Sequence, residues 1–179
     1  LRVQKQFSQD DGSCHIYVLH PPGGLVGGDS LTVQLRVGAD TQTLITSPSA
    51  AKAYRCAENA LTQRVSQVVE VGENAHLEWL PQETIFYDGA KAEIDNQVRL
   101  HSSSSFLGWE IQMLGRRASG EGFAKGAIDQ SSRIWRADKL SHRECLRVSG
   151  DNQSSAWGLN SSSVLGTLVA IPKQGGLLS

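Results

Sequence analysis

Between two of the clearest alternating patterns in the chain stands a ten-residue run, His20-Pro21-Pro22-Gly23-Gly24-Leu25-Val26-Gly27-Gly28-Asp29. It cannot be helix, because proline lacks a donor and glycine gives up too much backbone freedom. It cannot be ordinary sheet interior either. Each Gly-Gly pair lets the backbone take positive φ or pass close to another surface. The apolar Leu25-Val26 between the pairs implies a loop that packs down instead of a solvated linker. Two readings remain open from spacing alone, a tight strand-to-strand crossing or a loop that touches a ligand or partner. A Walker-type phosphate loop is excluded, since no Gly-Lys-Ser/Thr follows and no helix begins there.

The flanking segments set the fold class. Residues 14–19 (Cys-His-Ile-Tyr-Val-Leu) carry apolar side chains on both faces, as a buried strand does. Leu31, Val33, Leu35 and Val37 alternate with Thr32, Gln34 and Arg36, the pattern of a half-buried strand. Similar short runs follow at residues 41–47, 64–71, 75–79, 84–87, 106–114, 127–135, 140–148 and 164–171, separated by Gly/Asn/Asp/Ser turns. Residues 48–60 suit a short helix by propensity but an extended segment by rhythm, and the latter is preferred. Asp88-Gly89 reads as a hairpin turn leading into Ala92, Ile94, Val98 and Leu100. A second hairpin is expected about Arg136-Ala137-Asp138-Lys139. No amphipathic helix is apparent, so the chain is expected to be all-β, with many short strands in stacked antiparallel or mixed sheets or in a β-solenoid-like coil. No sequence repeat of fixed period is visible, which disfavours a regular repeat solenoid.

At 179 residues the chain forms one domain or part of one. A net charge of −1 and a pI near 6.6 lack the basic footprint of nucleic-acid or membrane-surface binding. No window approaches a membrane span. Cys14, Cys56 and Cys145 lie far apart, which fits a reducing, cytoplasmic setting better than a disulfide scaffold.

Among chemistry-bearing residues, Cys14, His15 and His20 fall within seven positions, yet no Cys-x-x-Cys or helix-face histidine pair supports a closed metal site. No serine sits in a Gly-x-Ser-x-Gly elbow, so a serine hydrolase is a weak alternative. The four tryptophans (Trp79, Trp109, Trp135 and Trp157) leave open a carbohydrate-binding β module. Glu83, Glu110 and Glu144 stand out by position. A carboxylate inside a β framework must be paired, hydrogen-bonded or face an internal wet space. Pairing with Arg55, Arg116 or Arg133 is one solution, and an acid-bordered interior that passes a divalent cation is the other.

The run from Cys14 to Asp29 resembles the signature of the UreD (also called UreH) urease accessory family. Later blocks fit the same family in order: Leu44-Ile45-Thr46-Ser47-Pro48, Lys52 with Tyr54-Arg55, and Leu77-Glu78-Trp79-Leu80-Pro81-Gln82-Glu83-Thr84-Ile85. Asp88-Gly89-Ala90, Leu107-Gly108-Trp109-Glu110, Leu114-Gly115-Arg116 and Ser119-Gly120-Glu121 complete the series. Departures occur at Ala51, Ala53, Cys56 and Arg117, where the family commonly has other residue types. The resemblance implies an all-β fold of stacked sheets with β-helix-like coiling, and a non-enzymatic maturation scaffold that binds UreF, through it the GTPase UreG, and apo-urease. It also implies transient passage of Ni2+ through the interior, with no tightly bound cofactor. Asp29, Glu83, Glu110 and Glu144 are the candidate path residues. His20, Pro21, Pro22, Gly23, Gly24, Gly27, Gly28, Lys52, Tyr54 and Arg55 form the candidate partner or loop motif. Family chains are longer, so residues 1–179 are read as a single domain without its N-terminal and C-terminal parts.

Overall fold

A computed structural model describes residues 2–173; Leu1, which opens the loosely alternating run at residues 1–7 of the sequence, lies outside them. Among the described residues, thirteen strands form two facing sheets. The first contains β1 (Arg2–Ser8), β2 (Cys14–Leu19), β4 (Gln42–Thr46), β5 (Ala51–Ala53), β7 (His76–Leu80), β8 (Thr84–Phe86), β10 (Ser105–Leu114) and β13 (Val164–Ile171). The second runs β12 (Lys139–Ser149), β11 (Ala127–Arg136), β9 (Lys91–Leu100), β6 (Gln63–Val71) and β3 (Ser30–Val37). The all-β expectation holds. The helical content of the described residues is one 3-10 turn at Arg117–Ser119 and a single-turn helix α1 (Gly150–Gln153).

The chain coils. It crosses from the first sheet to the second and back, so that successive passes stack in parallel: β2, β4, β7, β10 on one side and β3, β6, β9, β11 on the other. Turn lengths are unequal, which explains why no fixed period shows in the sequence. Cys14 faces Thr43 and His76 faces Ser105 across 29 residues, whereas Gln42 faces His76 across 34. In the second sheet Ser30 faces Arg64 across 34, Gln63 faces Ala92 across 29 and Lys91 faces Ala127 across 36. The coil closes at both ends with antiparallel strands, β1 on β2 and β12 and β13 on β11 and β10.

The coiling corrects one expected hairpin and keeps the other. Asp88-Gly89 does form a tight turn, with the Ala90 amide donating to the Tyr87 carbonyl at 2.9 Å and Gly89 at φ +80°. The turn, however, carries the chain from β8 in one sheet to β9 in the other, where each strand finds parallel neighbours. A turn dipeptide specifies a reversal, but which sheet receives the next strand depends on packing. At the second site, Ala137 (φ +45°) and Asp138 (φ +62°) close a true two-residue hairpin between Arg136 and Lys139.

The first sheet is broken at one level in three successive passes. Pairing lapses at residues 20–24, 47–50 and 81–83, while β10 runs through unbroken. Each later pass is one residue shorter across the break. Thr46 to Ala51 spans five steps against four from Leu80 to Thr84, and Trp79 to Thr84 spans five against four from Gly108 to Gln112. Side chains replace the lost ladder bonds, as buried backbone groups require. The Trp109 indole donates to the Pro81 carbonyl at 2.8 Å, Thr46 Oγ1 to the Leu80 carbonyl at 2.6 Å, and the Gln82 amide to Ser47 Oγ at 2.9 Å.

Two apolar clusters fill the space between the sheets. The larger gathers Val18, Val37, Ile45, Val69, Val71, Ala75, Leu77, Val98, Leu100, Phe106 and Ile134. The second holds Ala53, Phe86, Ala90, Ala92, Leu114, Phe123, Ile128 and Val148. Between them lies a layer that carries polar side chains.

Candidate functional site

From β6 onward, strand register places one polar side chain per strand at the same height on the inner face of the second sheet, next to Val33 of β3. Val33 faces Gln67, Gln67 faces Asn96, Asn96 faces Ser132, and Ser132 faces Glu144. Residues two positions away on these strands belong to the clusters, Val69, Val98 and Ile134 on one side and Ile128 and Val148 further along on the other. Because side chains alternate with period two, the ladder points inward with them. Glu110 and Gln112 of β10 meet it from the opposite sheet, with Thr167 of β13 beside Glu110.

Glu110 is the centre of this layer. The Asn96 amide nitrogen donates to Oε1 at 2.7 Å, and the Gln130 amide nitrogen donates to Oε2 at 2.5 Å. Gln112 donates in turn to Gln130 Oε1, and Ser132 Oγ lies 3.3 Å from both Asn96 Nδ2 and Gln130 Nε2. The expected pairing of Glu110 with Arg55, Arg116 or Arg133 is not found. Amides satisfy it instead, while Arg55 reaches the Asp88 carbonyl, Arg116 pairs with Glu121 and Arg133 with Asp95 on the outer face. Burial pushes the Glu110 carboxyl above its ordinary pKa; the amide bonds from Gln130 and Asn96 oppose this, and the charge of Glu144 adds to it.

Two cavities border the layer. One, of about 190 Å³, lies behind the stacked sheet break and is lined by His20, Gly23, Ser47, Lys52 and Gln82 at one side and by Glu110 and Gln112 at the other. The second, of about 70 Å³, is lined by Asn96, Glu110, Ser132, His142, Glu144 and Thr167. Gln67, Trp79 and Glu110 line both. Asn96 Oδ1 and Gln112 Oε1 are buried and meet no donor among the described residues. Carbonyl oxygens in that situation ask for water or a cation, and both cavities exceed the roughly 10–15 Å³ one water needs.

Of the four carboxylates read as path candidates, the structure brings Glu110 and Glu144 to this interior. Asp29 and Glu83 are elsewhere. Asp29 caps its own loop, its Oδ2 accepting from the Val26 amide at 2.9 Å, and neither residue lines a cavity beside Glu110. Among the described residues no three His, Cys, Asp or Glu side chains converge on a metal-sized point, so Cys14, His15 and His20 form no closed site. All three cysteines are free.

The glycine run is a packed crossing between the two sheets. Leu25 bridges to Ala53, its amide donating to the Lys52 carbonyl at 2.8 Å and its carbonyl accepting from the Tyr54 amide at 2.9 Å. Gly24 has no room for a side chain, because a Cβ there would lie 2.5 Å from Tyr54 Cε2 and 2.7 Å from the Lys52 carbonyl. Gly23 (φ +76°) and Gly28 (φ +89°) need the left-handed region, while Gly27 passes close to Ala60. Pro21 and Pro22 are exposed, and His20 and Gly23 reach the larger cavity. Tyr54 stacks edge-on against Tyr87 at 5.0 Å, and the Arg55 guanidinium donates to Asp88 O at 3.2 Å. Gln63, fully buried, holds the crossing shut by donating to both the Leu25 and Tyr54 carbonyls, at 2.9 and 2.8 Å. Sequence reasoning missed it, although a glutamine opening an apolar strand was the available signal.

The tryptophans do not form a stacking platform. Trp79 packs on the core, Trp109 is tied to Pro81, Trp135 lies under Arg99 and Arg133, and Trp157 stands alone in solvent. No helix among the described residues is long and apolar enough to cross a membrane.

A family model described as UreD urease accessory protein matches residues 1–179. The chain belongs to the UreD urease accessory protein family. Similar members are the urease accessory protein UreD of Alkalilimnicola ehrlichii, 38% identical over 99% of this chain and 60% of that protein, and that of Alcanivorax borkumensis, 44% identical over 83% and 50%. The UreD of Polynucleobacter asymbioticus is 40% identical over 97% of this chain and 60% of its own length. The chain thus spans about three fifths or less of these curated relatives. Their names make them accessory to urease, not urease itself, in keeping with the reading of this family as non-enzymatic.

Proposed function

We propose that this chain is the coiled β portion of a urease maturation scaffold, acting in the cytoplasm, whose interior polar layer passes Ni2+ to apo-urease. Its partners are UreF, UreG through UreF, and apo-urease. The observation that carries the reading is the layer itself. A protein this size normally fills its interior with one apolar core, whereas here Glu110, Glu144, Gln67, Asn96, Gln112 and Ser132 lie between two cores and border two cavities that share walls. Keeping such groups inside costs stability that a purely structural strand stack has no reason to give up.

The donor set suits a moving cation better than a resident one. Oxygen atoms of Glu110, Asn96, Gln112 and Ser132 supply weak, sequential partners, and imidazoles stand only toward the outer ends, His20 in one cavity and His142 in the other. A closed cage of His and Cys would hold a borderline metal too long for transfer. Ni2+ is cargo in this scheme, and no bond of it is made or broken by catalysis.

The test uses Glu110→Ala and Glu144→Ala in the full-length protein with its partners. Both variants are expected to co-purify with UreF as the wild type does and to lower the nickel content of the urease they mature. Full nickel loading with both variants would leave a clamp that holds its neighbours while the metal travels elsewhere.

A further inference from the structure

The far end of the polar ladder places an imidazole, His142, beside the path candidate Glu144. His142 and Glu144 sit two apart on β12, so their side chains leave the strand on the same face. That face is the inner one, because His142 faces Ile134 and Glu144 faces Ser132 in register, and Ile134 belongs to the larger core. β12 is the last strand of its sheet, and β13 is the outer neighbour of β10 in the other. The smaller cavity is bordered there by Thr167 and Val169 of β13 as well as by His142 and Glu144. Both side chains therefore look into the cavity yet keep about two fifths of their surface in solvent, 45% for His142 and 43% for Glu144.

We propose that His142 and Glu144 form a capture site for a borderline divalent cation at the β12–β13 mouth of the cavity. Nε2 of His142 lies 4.0 Å from Oε2 of Glu144. Bonds of about 2.1 Å to an imidazole nitrogen and a carboxylate oxygen span up to about 4.2 Å, so one ion fits between them with little movement. As a plain ion pair at this exposure the two would contribute almost nothing to stability. The ligand types choose the class of ion. One imidazole nitrogen with one carboxylate oxygen favours Ni2+, Co2+, Zn2+ or Cu2+ over Mg2+ or Ca2+, which take oxygen alone. Two protein ligands leave the remaining positions to water, which keeps the ion exchangeable. Behind the pair stand Glu110 and the donor-free carbonyl of Asn96, the next oxygens along the ladder.

This inference rests on the conduit reading, and its test separates the two. Full-length protein labelled with 15N at histidine is titrated with NiCl2, and the His142 imidazole signal is assigned from its loss in His142→Gln. Paramagnetic broadening is expected at His142 before any other imidazole, and Glu144→Gln should raise the Ni2+ concentration needed at least tenfold. A tenfold excess of Mg2+ should not reverse it. Broadening of all imidazoles together, an unchanged midpoint in Glu144→Gln, or displacement by Mg2+ would each overturn the site. If His142 captures Ni2+ while Glu110→Ala and Glu144→Ala still load urease fully, the site stands and the conduit falls. If His142 stays sharp while those variants fail to load urease, the conduit stands and the site falls.

Discussion

A double-mutant cycle between Asn96 and Glu110, read against pH, measures what the polar layer does to the fold. The Asn96 amide donates to Glu110 at 2.7 Å in the space between the two cores. A hydrogen bond to a charged acceptor contributes about 1.5–3 kcal/mol net, against about 0.5–1.5 kcal/mol for a neutral pair. Asn96→Leu should therefore lower the unfolding free energy by about 2 kcal/mol while Glu110 is ionised. In the Glu110→Gln background, where the bond is neutral, the same change should cost about 1 kcal/mol, a coupling of about 1 kcal/mol. The pH dependence has a definite sign. Burial, helped by Glu144 and opposed by the two amides, raises the Glu110 pKa above the ordinary 4.5. A carboxyl raised in the folded state favours folding below its ordinary pKa and costs stability as pH climbs through its folded value. Wild type should thus lose stability relative to Glu110→Gln across that interval and level off above it, and the coupling to Asn96 should emerge over the same interval. Urea unfolding of the four proteins, followed by tryptophan fluorescence from acid to neutral pH, supplies all the terms of the cycle. A coupling that is equal at both ends of the titration, or a Glu110→Gln variant that becomes relatively weaker as pH rises, would refute the reasoning.

Two further changes test the frame around the layer. Leu77, with no exposed surface in the larger core, should cost about 3 kcal/mol as Leu77→Ala, read as a fall in the urea midpoint with unchanged slope. Gly24→Ala should cost about 1–3 kcal/mol by overpacking against Tyr54 and Lys52, whereas Gly38→Ala, with nothing within 4 Å of its Cβ, should be near neutral.

The sequence was most informative where one strand decides its own pattern. The alternation of Leu31, Val33, Leu35 and Val37 appears directly as the partly buried and buried positions of β3. The hairpin at Ala137-Asp138 and the turns at Asp40 and Asn74, both at positive φ, were legible because the turn chemistry is local. Asp88-Gly89 was misread because its turn is as local as a hairpin's, while the destination of the next strand is not. β-helix-like coiling was expected, but its register stayed hidden behind unequal passes of 28 to 36 residues. The polar layer was hidden for a related reason. Gln67, Asn96 and Ser132 each look like an ordinary polar position in a half-polar strand, and only parallel register reveals that they share a height. Glu110 was legible because a carboxylate opposite Trp109 in an apolar strand is costly by itself; Asp29, a path candidate on the resemblance alone, serves as a turn cap.

The break in the first sheet and the polar ladder in the second lie on opposite walls of one interior, and this placement has a physical logic. A continuous first sheet would present a full row of inward side chains to Gln67, Asn96 and Ser132, and the cheapest partners for such a row are apolar. The lapse in pairing at residues 20–24, 47–50 and 81–83 interrupts that row. Backbone and the small Ser47, Ser49 and Ala50 then border the gap. The lost ladder bonds are recovered outside it, by Trp109 on Pro81 and Thr46 on Leu80. Only β10 continues across, and the residue it carries through the gap is Glu110. The Pro/Gly-rich run, the Ser-Pro segment and Pro81-Gln82-Glu83 are therefore one feature repeated in three passes, each interrupting the same sheet at the height where the polar interior needs room.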